Sequence, residues 1–425
     1  RVDPLEMDAV GPQSATTLRM LEASLADARA TLADDPALTA DLLGWTARAH
    51  QRGDDLPAAE KLAAEAVQLL DRAGAPHDNA YGSALAYLGY LESRNGEKKA
   101  GQAKVDRALA LLDRSRIDDQ YALDTLLLAG WNREGNWSEQ KILFERAENL
   151  ATRLDQVPAA VEAGSGLGRA LAGLGEGPTA QAKLDSTLAL ATKYYGEGHP
   201  RLAILYSDLG RLAAHQGRAG KAVQYHRRAL DLAVASFGPD HSGNLFHRNN
   251  LAVALNEADQ TGAAIAQFRK ILAQTRSAYG IRSLEAGEVL QNLAATLVRN
   301  RQFSEAEKDL GEAETIFGLH LPDNHPRRAF PALTRAELRI AQGRFVSAQS
   351  EASRAFSLLS KALPAGHFAT EVARCRIGIA LAGQGKVREA RPLLKAAYRG
   401  LTGSKMPVPD RYLVPCKDAA TKFAT

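Results

Sequence analysis

The stretch LGRLAAHQGRAGKAVQYHRRALDLAVASFGPDHS, residues 209–242, decides the fold. Apolar residues recur at helical spacing on both sides of HQGRAG, a turn signal centred on Gly217. The same arrangement returns along the chain. Gly53, Gly96, Gly135, Gly175, Gly217, Gly343 and Gly385 each stand between two helical runs. From Gly175 onward the spacing is 42 residues throughout, with Asp259 and Arg301 in the two slots that lack glycine; before it the spacings are 43, 39 and 40. Five places after the anchor stand Ala58, Ala180, Ala222, Ala264, Ala306, Ala348 and Ala390. Seven places before it stand Gly89, Gly168, Gly210, Ala252, Ala294, Ala336 and Gly378. Small residues at these spacings let two antiparallel helices approach closely while Leu and Ile fill the space between them. Each unit therefore reads as helix A, a tight turn at the anchor, and helix B. Such units bury a face only against their neighbours, so the chain is expected to fold as one array of about nine pairs.

Composition agrees with this reading. Length alone would allow about three domains of ordinary size. Only 6% of the 425 residues are aromatic, and Ala and Leu abound, which favours helices over a β-sandwich. A net charge of +4 supplies no reason to expect nucleic acid or anionic lipid as a partner. No apolar run reaches the ~18 residues that a membrane span requires. The chain starts without Met or a signal-peptide pattern, so it reads as a processed chain or an excised fragment.

Glycine at the anchor, Gly or Ala seven before it, and Ala five and twelve after it resemble the tetratricopeptide repeat (TPR). The 42-residue period resembles the kinesin-light-chain subtype, and 209–242, NNLAVALNEADQTGAAIAQFRKIL (249–272) and EARPLLKAAY (389–398) carry the likeness. The resemblance covers residues 36–410 and implies an all-α, right-handed TPR superhelix, an α-solenoid. It is weakest in units two to four. Unit three has Leu128 and Gln140 where small residues belong, which puts its register in question.

Residues 1–14, with two prolines, read as a linker or arm, and 15–35 as an N-terminal capping helix with Leu18, Leu21, Leu25 and Ala28 on one face. Residues 411–425 read as a C-terminal capping helix, confined by Pro415 to its later part. Cys375 and Cys416 lie 41 apart, almost one period; two buried free thiols are preferred over a disulfide. His199, His241, His325 and His367 recur after the B helices, with Ser283 in the missing slot. Neighbouring copies would lie on the order of 10 Å apart, too far to share a metal ion, so they are expected to fix the entry to the next A helix. GSGLGRALAG (164–173) lacks glycine at the third position of a dinucleotide loop, where Arg169 stands, and falls within an A helix. No nucleotide, metal or catalytic motif is recognised, and no cofactor is expected.

The A helices line the inner face of such an array. Slots three, six, nine, ten and thirteen before each anchor form one helical stripe. They contain Arg169; Ser207, Asp208 and Arg211; Asn249, Asn250 and Asn256; Glu288, Gln291 and Asn292; Thr334 and Glu337; and Arg376. Amides offer donors and acceptors together, so they can hold a peptide main chain without demanding one sequence. The resemblance implies that role above all for Asn250 and Asn292. Bracing of adjacent repeats is the alternative for the same side chains. In the first three units Leu43, Ala47, Tyr87, Tyr90 and Leu126 occupy these slots, an apolar stretch fit for a hydrophobic side chain or another part of the same chain. The expected function is a non-catalytic scaffold that binds a protein or peptide in its groove. Segment 17–54 also resembles the join to the TPR sensor of bacterial serine/threonine kinases, which implies a periplasmic sensor region. A TPR regulator of a short signalling peptide, a cytoplasmic location, and an enzyme are the alternatives.

Overall fold

The computed structural model describes residues 14–31, 35–52, 55–74, 78–133, 135–241, 243–404, 408 and 410–423. The expected arm, except Ser14, and the anchor Gly53 lie outside them. The described residues form α-helices, one 3-10 turn at Pro326–Ala329, and no strand. They divide into two compact units, 1–212 with 231–239, and 213–230 with 240–425.

In the N-terminal unit, α1 (Ser14–Thr31) precedes the pairs α2 (Pro36–Arg52) and α3 (Leu56–Ala73), α4 (Asp78–Arg94) and α5 (Lys98–Ser115), α6 (Gln120–Asn132) and α7 (Trp137–Arg153), and α8 (Val157–Gly173) and α9 (Gly177–Tyr195). The next pair, α10 (Leu202–His215) and α11 (Ala219–Phe237), runs through both units. The C-terminal unit continues with α12 (Asn244–Glu257) and α13 (Thr261–Tyr279), α14 (Leu284–Arg299) and α15 (Phe303–His320), α16 (Phe330–Ala341) and α17 (Phe345–Ala362), α18 (Phe368–Gly383) and α19 (Val387–Thr402), and closes with α20 (Asp410–Lys422). This is a TPR-like solenoid of nine pairs among the described residues.

The anchors do the turning. Gly96, Gly135, Gly175, Gly217, Gly343 and Gly385 all have positive φ, and the two non-glycine anchors, Asp259 and Arg301, adopt the same left-handed conformation at 57° and 58°. A left-handed residue ends helix A and lets the amide after it reach back five residues, as Gln260 N does to Leu255 O at 2.9 Å. The recurrent loop histidines then start the next A helix. Nδ1 of His199, His241, His325 and His367 accepts the backbone N–H two residues on, at 3.1 to 3.3 Å, and Ser283 Oγ accepts Ala286 N–H at 3.2 Å. The histidines cap two residues ahead and Ser283 three, so one slot uses two side-chain chemistries.

The small residues mark close helix contacts. A Cβ on Gly89 would stand 2.5 Å from the carbonyl oxygen of Gly101, so α4 and α5 meet backbone to backbone. The glycines of 164–173 have the same explanation: Gly164 receives Thr187, Gly166 the ring of Phe144, Gly168 Leu184, and Gly173 the indole of Trp137. Unit three keeps its register despite its large residues. Gln140 is buried and donates through Nε2 to Gly130 O at 2.9 Å, so its amide takes the place of a small residue by bonding the neighbouring backbone. Between successive B helices, charges clasp: Lys183 Nζ on Glu148 at 2.8 Å, Arg269 on Glu305 at 2.8 Å, and Arg276 on Glu312 at 2.5 Å.

Two expectations are corrected at the C-terminus. Cys375 and Cys416 are joined in a disulfide with Cα atoms 5.8 Å apart, because α20 stacks on α18 and α19 and brings the thiols face to face. Pro415 does not confine the last helix to its later part; α20 runs from Asp410 through it. Proline there removes one backbone hydrogen bond, and the disulfide at the next residue holds the turn in place.

Asp309, on α15, is a poorly satisfied charge at a B-helix joint. It is 8% exposed, and its Oδ2 is buried without a hydrogen-bond partner. Burial, with Glu305 and Glu312 adding their charge against Lys308 and Arg276, pushes its carboxyl up to about 6. A raised folded pKa means stability that is present below the unfolded value of about 4 and is lost as pH rises toward 6. Asp309→Asn should therefore raise stability by about 1–3 kcal/mol at pH 8 and by almost nothing near pH 4, as read by denaturant midpoints at the two pH values. Glycine substitutions test the packing. Gly89→Ala should destabilise by about 1–3 kcal/mol despite alanine's helix propensity, since a backbone oxygen blocks the methyl. Gly311→Ala, in α15 with nothing within 4 Å of the added carbon, should instead stabilise by up to ~1 kcal/mol.

Candidate functional site

The A helices of each unit stack side by side and present a common face. In the N-terminal unit this face curves inward, since α2 and α6 reach each other past the intervening α4. Tyr121 donates its hydroxyl to Asp41 at 3.0 Å, and Arg48 lies 3.5 Å from Asp124 and over the ring of Tyr87. Burial together with Asp41 drives the Tyr121 hydroxyl well above its ordinary value. Leu43, Ala47, Tyr87 and Leu126 are buried, with Tyr121 and Leu128 packed over the cores around Leu43, Ala47 and Tyr87, so the apolar slots are filled by the same chain.

Further along this unit the structure gathers three of the sequence-selected residues into one cluster. Asp208, on α10, is 4% exposed, accepts Ser165 Oγ–H from α8 at 2.5 Å, and is ion-paired with Arg211. Arg169, on α8, lies 4.0 Å from the same carboxylate and stacks its guanidinium over Trp131. Ser207, beside Asp208, is buried. A charge with three polar contacts from two repeats is a brace between A helices as much as a contact for a ligand.

In the C-terminal unit the stripe divides in two. Asn256 is buried and accepts Arg299 through both its backbone oxygen, at 2.8 Å, and Oδ1, at 3.1 Å. It clamps Arg299 of the next repeat. Glu337 pairs with the buried Arg376 at 2.6 Å, joining α16 to α18, and Glu288 pairs with Arg327. Gln291 Nε2 donates to Thr334 Oγ1 at 2.7 Å, whereas its Oε1 is buried without a donor. Asn250 Nδ2 is likewise buried without an acceptor. Asn249 is half-buried and Asn292 exposed, neither with a side-chain hydrogen bond to a described residue. One turn before Asn249, Phe246 is 56% exposed. At the far end of this unit Arg411 of α20 comes within 4.0 Å of Glu257 of α12, so this face also curves.

Several residues of these faces escaped the sequence reading. Ser165 and Glu162 stand ten and thirteen before Gly175, in slots of the stripe itself, so the register marked them. Arg48, Asp124 and Trp131 fall outside those slots, and only the structure brings them to the face. Among the described residues no group of His, Cys, Asp and Glu has the arrangement of a metal site, and no helix is long and apolar enough to cross a membrane.

With this geometry in hand, known proteins can be compared. The family model for the tetratricopeptide repeat matches residues 160–233 and 214–277. The clustered mitochondria protein homolog of Aspergillus niger is 25% identical over 136 residues, which is 31% of this chain and 11% of that protein. The chain thus spans about a tenth of the length of such curated relatives. Among solved structures, the apo form of RapI overlays with a TM-score of 0.54 at 12% identity, covering 81% of this chain and 98% of RapI. A Rap protein complexed with Competence and Sporulation Factor gives 0.50 at 12% identity over 81% of this chain and 99% of that one. BtubC (BKLC) from P. vanneervenii is 20% identical over 54% of this chain and 92% of its own, with a TM-score of 0.46. These likenesses concern the fold. The 42-residue register and the left-handed anchors belong to a TPR-like solenoid, and the tetratricopeptide repeat model matches its central part, residues 160–277.

Proposed function

We propose that this chain is a non-catalytic scaffold whose A-helix faces bind a segment of another protein. The observation that carries this reading is the pair of unsatisfied amide atoms on α12 and α14, the donor Asn250 Nδ2 and the acceptor Gln291 Oε1. Leaving such atoms buried and unpaired costs about 1–3 kcal/mol each, and a peptide group supplies the matching carbonyl and N–H. Thr334 holds the Gln291 amide, so its carbonyl oxygen is the end that remains for a ligand. Asn249 and Asn292 extend the same face, and exposed Phe246 offers an apolar contact beside them. Arg169, Asp208 and Arg211 in the other unit, and Glu337 with Arg376 in this one, hold repeats together first and tune charge second.

The finer reading is a sensor region of a bacterial serine/threonine kinase, outside the cytoplasm. Its support is the Cys375–Cys416 disulfide, since such bonds persist where the surroundings are oxidising. A regulator of a short signalling peptide would use the same faces, and the Rap neighbour bound to Competence and Sporulation Factor favours that second reading.

Short random peptides displayed on phage and selected on the full chain test the common claim. Alanine at Asn250 and Asn292 together should weaken the selected peptides by about tenfold or more, with helix content unchanged by circular dichroism. Equal affinity for the double variant would remove these faces from the function.

A further inference from the structure

The A-helix face of the N-terminal unit holds one carboxylate that the braces leave uncompensated. Glu162, on α8, is half-buried, and its Oε1 accepts the indole N–H of Trp131 at 2.7 Å. Two arginines act on its charge from a distance, Arg201 and Arg48. Neither comes within the 4.0 Å of an ion pair with it, and each is engaged elsewhere. Arg48 lies on Asp124 and the ring of Tyr87; Arg201 donates to the Tyr195 hydroxyl at 3.0 Å and sits over that ring. Burial accordingly raises the Glu162 carboxyl, and the nearby charge of Asp124 adds to the effect. Withdrawing a carboxylate from water without an ion pair is unfavourable, and a single hydrogen bond from Trp131 offsets only part of that cost.

The same carboxylate is held rigidly. Trp131 is fixed from two sides, its ring stacked under Arg169 at 4.9 Å and set edge-on to Phe144 at 4.8 Å. A donor so fixed holds the Glu162 carboxylate in one orientation, and a ligand that meets it gives up little ordering entropy from the protein. Asp124 offsets part of the charge of Arg48 and Arg201 at Glu162, and Arg169 over Trp131 faces the Asp208 carboxylate at 4.0 Å. We propose that Glu162 is the seat for a cation of the bound segment, an ammonium or guanidinium group, with Trp131 holding the carboxylate and Asp124 lending further negative charge. The inference rests on the reading that A-helix faces bind peptide segments, and it adds the chemistry that the N-terminal unit selects.

The test uses the full chain and displayed random peptides, followed by titration of the selected peptides made with free and with acetylated N-termini. The seat predicts enrichment of Lys or Arg, or a requirement for the free N-terminus, and the comparison of the two peptide forms tells the side-chain source from the terminal one. Glu162→Gln keeps an acceptor for Trp131 and should weaken those peptides at least about tenfold, as loss of one charge-assisted contact does. Glu162→Lys, which brings its own cation, should abolish their binding, while Asn250→Ala with Asn292→Ala should leave the preference for a cation intact. Thermal midpoints and tryptophan emission report whether each variant is folded. Selected peptides with no cationic preference, or a preference that survives in both Glu162 variants, would overturn the seat and leave the scaffold reading standing. Recovery of no peptide at all would overturn both.

Discussion

The two helices of a pair draw closest where their side chains are smallest, and that constraint shapes the rest. Gly89 against Gly101, or Leu184 seated in the gap left by Gly168, draws the two helices of a pair together until only small residues fit at the contact. A pair so formed has an apolar face left over on each side, which the next pair must cover. Repetition of one contact therefore produces the solenoid, and the left-handed anchor sets the angle at which each helix B returns on its helix A.

Much of this was legible in the amino-acid sequence, because the contact is written in residue size and recurs at a fixed spacing. Asp259 and Arg301 occupy anchor slots with the wrong residue type, yet both take the left-handed conformation that the register demands. The loop histidines were legible as entry residues, and Ser283 in the empty slot performs the same capping. What escaped was contact between elements whose distance no periodicity encodes. The disulfide depends on how α20 lies across α18, and the spacing of 41 between the cysteines was compatible with either state. The course of α20 through Pro415 depends on the same packing.

The face lined by A helices was legible as a polar stripe, but its division of labour was not. Asn256 and Asn250 look alike in sequence; one clamps Arg299 of the following repeat, and the other keeps an unpaired donor. Asp208 bonds Ser165 of the preceding repeat and pairs with Arg211 of its own helix, whereas Glu162, three residues before Ser165, has no ion pair within 4.0 Å and feels Arg201 and Arg48 only from a distance. Braces give the array its stiffness, and the groups left over after bracing are the ones with something to offer a partner. The distinction is a matter of a few ångströms between side chains, which a single sequence does not record.

The proposed recognition uses the A-helix groups that bracing leaves over. Hydrogen–deuterium exchange of the full chain, with and without a selected peptide, tests it most directly. Slowed exchange concentrated in A helices, α8 for a peptide held by the N-terminal unit or α12 and α14 for one held by the C-terminal unit, with α9, α13 and α15 unchanged, is the result predicted. Protection confined to the B helices, or to the turns alone, would contradict it.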